Sequence, residues 1–508
     1  MRILHVTNEL PPHSASANAH CIWELALKQS ERHWPSIFTR AADPSLPEGF
    51  SWVERRGNVT IRHMNRLALE REPFERSYIH HAVEQQFREF LGETRADVVH
   101  FHSLEYLGLG LFDIAHSLKI KTVLTAHDFW PVCAIGTRRC RTDDTPCEKI
   151  DLAKCGPCAL GGEWTRLIED HQAEVEKLRP RNQSFAELYR HHYGERFATT
   201  GGVPARRPRA AIHAMKNALR EARWKAQEQL EAKFGDPIER RLERFGARLK
   251  HIDLVLAPSE FARAEYQRAF GLPAEKVVLD ELALPGAELP APPRVESSAV
   301  RVGCIGPLSR IAGVHVLVEA FVAAAATAPA LELHLHGATA EGSDEFVEAL
   351  RERVAASACA SRIHFHGAPD PARLADLLAA LDLVVFPSIG VGNAPAELLH
   401  AAHAGVGVLV SNAGGLAEFV KVHGYGRTFA LGSVEALRTE LAALGADRSG
   451  LRELVGERPP LKTVQHEANE LALLYHELLY GKYKAPTPAQ QAARRRGEYE
   501  SARELVKE

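Results

Sequence analysis

Short runs of β-branched and aliphatic residues alternate with longer amphipathic stretches along most of this 508-residue chain, and this alternation constrains the fold more than any other feature. A parallel neighbour strand needs a crossover of about a dozen residues or more, so such a pattern closes as repeated βαβ units. The sequence predicts strands at 2–7, 98–102, 122–126 and 254–258, then at 301–305, 331–336, 362–366, 383–387 and 406–411. Between the two sets, the stacked prolines of the stretch from Leu284 to Pro293 continue neither a helix nor a central strand. The expected architecture is α/β: two Rossmann-like doubly wound domains facing a cleft, at 1–284 and 294–465, with C-terminal helices and a charged tail at 466–508. Residues 163–250 depart from the alternation and predict an Arg-rich helical insertion in the N-terminal half. Its amphipathic faces read as solvated, with a protein partner or a membrane surface as the alternative.

Composition narrows the partners. Sixty-two basic against sixty-five acidic residues leave a formal charge of -3, so nothing chain-wide would attract nucleic acid, and none is expected as a partner. No run of about 18 apolar residues is present to span a bilayer. The opening Met1–Thr7 reads as a first buried strand and not as an export signal. The expectation is a cytoplasmic protein, with peripheral attachment to the inner face of the membrane as an alternative. In a reducing compartment, clustered cysteines are more often metal ligands or redox groups than disulfides. Five of the eight cysteines lie together: Cys133, Cys140, Cys147, Cys155 and Cys158. The Cys155-Gly156-Pro157-Cys158 pair suits a knuckle of a thiolate metal site. A thioredoxin-type redox pair, an iron–sulfur cluster and simply packed thiols are the alternatives; the redox motif follows a strand, whereas residues 148–154 carry four charges.

Ligands of open α/β sheets sit beyond the carboxyl ends of the strands. The segments that fall there are 8–17, His127 to Pro131, 303–313 and 387–395. Asn393 ahead of Pro395 reads as a capped helix start, whose open N–H groups suit a phosphate. Three histidine pairs, His100/His102, His334/His336 and His364/His366, each share one face of a strand. They read as hydrogen-bonded structural residues unless one of them reaches the cleft.

At these segments the chain resembles glycosyltransferase family 4, retaining enzymes of GT-B architecture. The resemblance is carried by Met1–Thr7 with Pro11-Pro12-His13, by the block from His127 to Cys133, by Ala257 to Phe261 and by Ser411 to Glu418. It implies transfer of a sugar from a nucleotide-sugar donor, held by the C-terminal domain, to an acceptor on the N-terminal domain. Carried over residue by residue, it makes His127 the catalytic histidine that contacts the donor sugar near the reacting carbon. The family's first-loop glycine pair falls on Ser14, Ala15 and Ser16, and its diphosphate-binding arginine and lysine fall on Pro307 and Ala312, with Arg310 between them. Its two glutamates fall on Gly392 and His400, with Glu397 as the nearby acid. The donor-binding set so implied is Arg310, Gly313, Asn393, Ala394, Pro395, His400 and Glu418. The branch sharing the His-Asp-Phe-Trp-Pro opening also implies a structural zinc on Cys133, Cys147, Cys155 and Cys158, leaving Cys140 over.

The expected function is hexosyl transfer to a glycan or lipid-linked acceptor in cell-surface polysaccharide or glycoconjugate synthesis. A non-catalytic GT-B binding or scaffold protein, using the insertion as its contact, is the competing reading. An enzyme of another reaction type, such as an epimerase, is a third.

Overall fold

The computed structural model describes the chain except residues 15, 48, 67–76, 137, 139–144, 148–149, 162–236, 287–292, 341–342, 371–372, 456–458, 488 and 492–508. It divides into two compact units, one of Met1–Cys140, Asp144–Ile150 and Phe245–Glu508, the other of Arg141–Asp143 and Asp151–Arg244. Both sheets lie in the first unit. The insertion expected at 163–250 falls outside the described residues except for its last part.

The first sheet contains β1 (Arg2–Thr7), β2 (Trp34–Ala41), β3 (Ser51–Arg56), β4 (Val59–Asn65), β5 (Val98–Phe101), β6 (Lys121–Thr125), β7 (Leu254–Ala257) and β8 (Val277–Leu279). Their order is β3-β4-β2-β1-β5-β6-β7-β8, parallel throughout except for the β3–β4 hairpin. Helices α1 (Ala17–Gln29), α2 (His81–Thr94), α3 (Gly110–Ser117), α4 (Leu152–Leu160), α5 (Pro237–Leu249) and α6 (Glu260–Phe270) accompany this half of the chain. The winding reverses at β1, which places the crevice of the switch point between the carboxyl ends of β1 and β5.

The second sheet runs β11-β10-β9-β12-β13-β14, parallel at every pairing. Its strands are β9 (Val300–Ile305), β10 (Leu331–His336), β11 (Ile363–Gly367), β12 (Leu383–Phe386), β13 (Gly407–Ser411) and β14 (Arg427–Phe429). Here the reversal falls between β9 and β12, both buried at every position, as apolar strands covered on two faces must be. The helices are α7 (Val314–Ala325), α8 (Asp344–Ala355), α9 (Leu374–Ala379), α10 (Ala396–His403), α11 (Gly414–His423), α12 (Val434–Ala446), α13 (Ser449–Val455) and α14 (Val464–Leu479). No described helix is long and apolar enough to cross a membrane.

The chain crosses between the sheets twice, side by side, where the Leu284 N–H donates to the Lys462 carbonyl at 2.8 Å. The return crossing leads into α14, whose Val464, Ala468, Leu471, Tyr475 and Leu478 join the core beneath Ile3, Val98, Val123 and Leu254 of the first sheet. A buried lysine holds this junction: the Lys462 Nζ meets Asp280 at 2.6 Å and Glu470 at 2.9 Å, and also Glu467. Burial opposes the ammonium charge, but three carboxylates outweigh it and hold the Lys462 pKa well above its usual value. Burial, with Asp280 beside it, raises the Glu467 carboxyl to about 8.

Candidate functional site

The switch point of the first sheet is built from histidines. His5 of β1, His100 of β5 and His102 just beyond it are buried, and His127 stands two residues past the end of β6. Neighbouring parallel strands bring these rings together: His5 pairs with His100 in register, and His100 pairs with Val123. A hydrogen-bonded chain results. Gln29 Oε1 lies 2.7 Å from His5 Nε2, His5 Nδ1 lies 3.0 Å from His102 Nε2, and His102 Nδ1 lies 2.9 Å from His127 Nε2. His100 lies beside the chain, bonded to the Tyr475 hydroxyl at 2.6 Å and to Thr125 Oγ1 at 2.7 Å.

The direction of this chain follows from its end. An amide oxygen only accepts, so His5 carries its proton on Nε2 and presents Nδ1 as an acceptor. His102 then donates from Nε2, and His127 donates from Nε2 in turn. His127 is thereby left with a lone pair on Nδ1, an atom that is buried and has no hydrogen-bond partner. Burial pushes the pKa of both His5 and His127 down to about 4, and those of His100 and His102 well below their usual value. The chain thus ends in a neutral, oriented acceptor. A cavity lined by His102, His127, Thr125, Cys21, Asp280 and Glu467 lies against it.

The rest of the His127 segment is structural. Asp128 accepts the Trp130 N–H at 2.8 Å and the Ser103 hydroxyl at 3.3 Å, closing a turn. Phe129 and Trp130 are buried, with Phe129 against Phe261 and Tyr266, and Trp130 against Phe245.

Asn393 and Glu418 are committed to protein groups of the other half. The Asn393 amide donates to the carbonyls of Ala126 at 3.1 Å and His127 at 2.9 Å, and its oxygen accepts from Ser259 at 3.1 Å. The Glu418 carboxylate accepts the first two N–H groups of α6, from Glu260 at 2.8 Å and Phe261 at 2.9 Å. Both contacts bind the loops of the second sheet to the first. The cap expected of Asn393 is a correction: Pro395 occupies the cap position of α10, no side chain caps it, and Asn393 reaches across the cleft instead.

The other donor-set residues are placed as follows. Gly313, at φ 73°, precedes α7, and a Cβ there would lie 1.9 Å from the Pro387 carbonyl. Its glycine is required by close approach of two backbones. Arg310 is exposed in the same loop. Ala394 lies on the opening of α10, against Gly415, whose added Cβ would meet the Ala394 nitrogen at 2.5 Å. His400 is half-buried on α10, where burial lowers its pKa to about 4, and burial raises that of Glu397. Gly392 opens on space, with nothing within 4 Å of an added Cβ. On the first sheet, Glu9 accepts the hydroxyls of Ser14 at 3.3 Å and of Ser16, the residue that caps α1. A carboxylate therefore already stands at this helix start.

Cys133 and Cys147 both act on Arg138: burial and Arg268 lower its pKa while the two thiols oppose this. Cys155 and Cys158 stand one turn apart on α4, in the other unit.

Sequence reasoning reached His127 and noted the His100/His102 pair. It missed His5 and Gln29, and the Asp280, Lys462, Glu467 and Glu470 cluster. A histidine in an otherwise apolar first strand was the one available signal for the former.

Residues 299–447 match the family described as Glycosyl transferases group 1, and residues 19–152 match Glycosyltransferase Family 4. Among solved structures, sucrose-phosphate synthase from Thermosynechococcus elongatus superposes with a TM-score of 0.57 at 18% identity, covering 94% of this chain and 99% of its own. Anabaena Alr3699/HepE, solved with UDP, gives 0.55 at 14% identity, over 93% of this chain and 99% of its own. The catalytic domain of starch synthase IV from Arabidopsis thaliana gives 0.53 at 12%, over 94% and 99%. No curated protein matches. The chain is thus a two-domain GT-B protein of α/β class, and its two matched regions support a glycosyltransferase of the family 4 type.

Proposed function

We propose that this protein transfers a hexosyl group, with retention of configuration, from a nucleoside diphosphate sugar to a glycan or lipid-linked acceptor in cell-surface polysaccharide or glycoconjugate synthesis. The observation that carries the reading is the lone pair of His127 Nδ1 at the switch-point crevice, oriented by three partners in series and kept neutral by burial. A neutral acceptor with a pKa near 4 is a poor base at pH 7 but a good anchor for a sugar hydroxyl, so His127 positions the reacting carbon. The uncapped start of α10 and the Arg310 side chain are the positive groups assigned to the diphosphate, with Gly313, Ala394, Pro395 and His400 shaping the pocket. Asn393 and Glu418 hold the cleft's two walls in register around it. A uridine donor is the first to test, since the Anabaena neighbour holds UDP. The boundaries 1–284, 294–465 and 466–508, peripheral membrane attachment from the cytoplasm, and a structural zinc on Cys133, Cys147, Cys155 and Cys158 belong to the same proposal. Loss of zinc from the Cys155→Ser variant, read by elemental analysis, tests the last.

A second reading, a non-catalytic GT-B partner that binds through its insertion, is favoured by specific residues. Glu9 stands at the start of α1, and Gly392 and His400 take the places of carboxylates. Calorimetric titration of UDP, GDP, ADP and their sugar conjugates into wild type and His127→Ala separates the two. Transfer predicts that a sugar conjugate binds, and that His127→Ala loses about 10²-fold in turnover of that donor. No binding by any member of the panel leaves the partner reading.

A further inference from the structure

The outer pair of the second sheet carries a second group of histidines. Leu331, Leu333 and Leu335 of β10 are fully buried in the core, which puts Glu332, His334 and His336 on the opposite face. β11 is the edge strand beside them and brings His364 and His366. His334 pairs with His364, but the register shifts between Leu335 and His336, so that His336 pairs with Gly367. Such a bulge re-aims one side chain. Here it places the His366 ring 5.3 Å from that of His334 and 4.3 Å from that of His336. One ring nitrogen from each of the three lies within 4.8 Å of the others, and His334 Nδ1 is 3.0 Å from His366 Nε2. Two imidazole nitrogens at about 2.0–2.1 Å from one cation are roughly 2.8–3.4 Å apart at octahedral or tetrahedral angles. The His334–His366 contact already has the span of one coordination edge.

We propose that His334, His336 and His366 form a site for a divalent cation of the zinc, nickel and copper class, with water completing the coordination. Imidazoles suit these ions, and His366 is exposed, so solvent has access to the open positions. An imidazole ordinarily titrates at about pH 6.5, so lone pairs are available for a cation at neutral pH. His334 supplies the supporting contact as well. Its Nε2 is buried without a hydrogen-bond partner, and the Glu332 carboxylate stands 3.7 Å away. With Nδ1 on the cation the proton sits on Nε2, and a carboxylate behind a ligating histidine raises its basicity. The ion would join edge strand β11 to β10 and fasten the border of the sheet.

The test uses the full chain, free of any histidine tag and dialysed against chelator, titrated with Co²⁺ and Zn²⁺. The variants are His366→Gln, the double His336→Gln/His366→Gln, and Cys155→Ser/Cys158→Ser. The expected result is a saturable Co²⁺ site, separate from any ion bound by the cysteines, whose spectrum in the Cys155→Ser/Cys158→Ser variant lacks thiolate charge-transfer absorption. It should weaken at least about tenfold in His366→Gln, disappear in the double variant and persist in the cysteine variant. Zn²⁺ should raise the Tm of wild type more than that of the double variant, with melts in chelator confirming that both fold. Unchanged affinity in the double variant, binding only with a thiolate band, or no saturable site would each overturn the proposal.

Discussion

The residue with the greatest leverage over the candidate site does not touch it. Gln29 closes α1, and its amide oxygen sets which nitrogen of His127, three links away, carries the proton. Gln29→Leu removes the acceptor and leaves His5 Nε2 buried without a partner, at a cost of about 1–3 kcal/mol. With the chain no longer directed, His127 is expected to populate both tautomers, which nitrogen NMR of histidine-labelled protein reads directly. Gln29→Glu keeps an acceptor in place and should keep the wild-type tautomer; a mixture in that variant, or a single tautomer in Gln29→Leu, would show that the direction is set elsewhere. Gly392 offers the opposite kind of test. An added Cβ there meets nothing within 4 Å, so Gly392→Glu should fold with a stability change within about 0.5 kcal/mol. If transfer is the function, this variant restores a carboxylate in the register where the resemblance expects one and should turn over donor faster than wild type.

At the scale of elements, the loops of the second sheet fit by backbone contact, and glycines decide the fit. Gly415 is the second residue of α11, and its N–H donates to the Gly392 carbonyl at 2.8 Å, so the helix start lies against residues 392–394. Gly415→Ala would drive a Cβ to 2.5 Å from the Ala394 nitrogen, a contact with backbone that cannot swing aside. A loss of about 1–3 kcal/mol is expected, measured by urea unfolding, whereas Gly424→Ala tests only the positive φ of 60° in open space. The same scale explains what the sequence disclosed. β9, β12 and β13 are buried at every position and read as largely apolar runs, interrupted only by Arg301 and ended by Ser411. β2 was not legible, because Trp34, Pro35, Ser36, Thr39 and Arg40 interrupt the pattern; its buried Ser36 is satisfied by donating to the Ile3 carbonyl at 3.2 Å. β3 is a polar edge strand, and β8 and β14 have three residues each, too short for any periodicity. His127 was legible because a motif surrounds it. Its chain was not, because Gln29, His5 and His102 meet only through the strand order.

For the whole molecule, two buried clusters titrate in opposite directions and bracket the stability. His5 and His127 hold pKa values near 4 when folded and about 6.5 when unfolded, and His100 and His102 are depressed as well. Between these values the unfolded chain binds more protons, so stability is fully present above about pH 6.5 and is lost as pH falls toward 4. Glu467 behaves oppositely. Beside Asp280, Lys462 and Glu470 its folded pKa is about 8 against 4.5 unfolded, so the folded state holds the extra proton and stability falls as pH rises through 8. Where the windows overlap, four imidazoles outweigh one carboxyl, which places the maximum at about pH 6.5. Urea midpoints measured from pH 4 to 9 should trace this dome. Glu467→Gln keeps the shape of the side chain but cannot ionise, so it should flatten the alkaline limb and leave the acid limb as it was. Because this carboxyl holds the crossing where α14 returns to the first sheet, the alkaline loss should appear first as weakened hydrogen-exchange protection in 464–479. An alkaline limb unchanged in Glu467→Gln would mean that the junction does not titrate, and that Lys462 is satisfied with all three carboxylates charged.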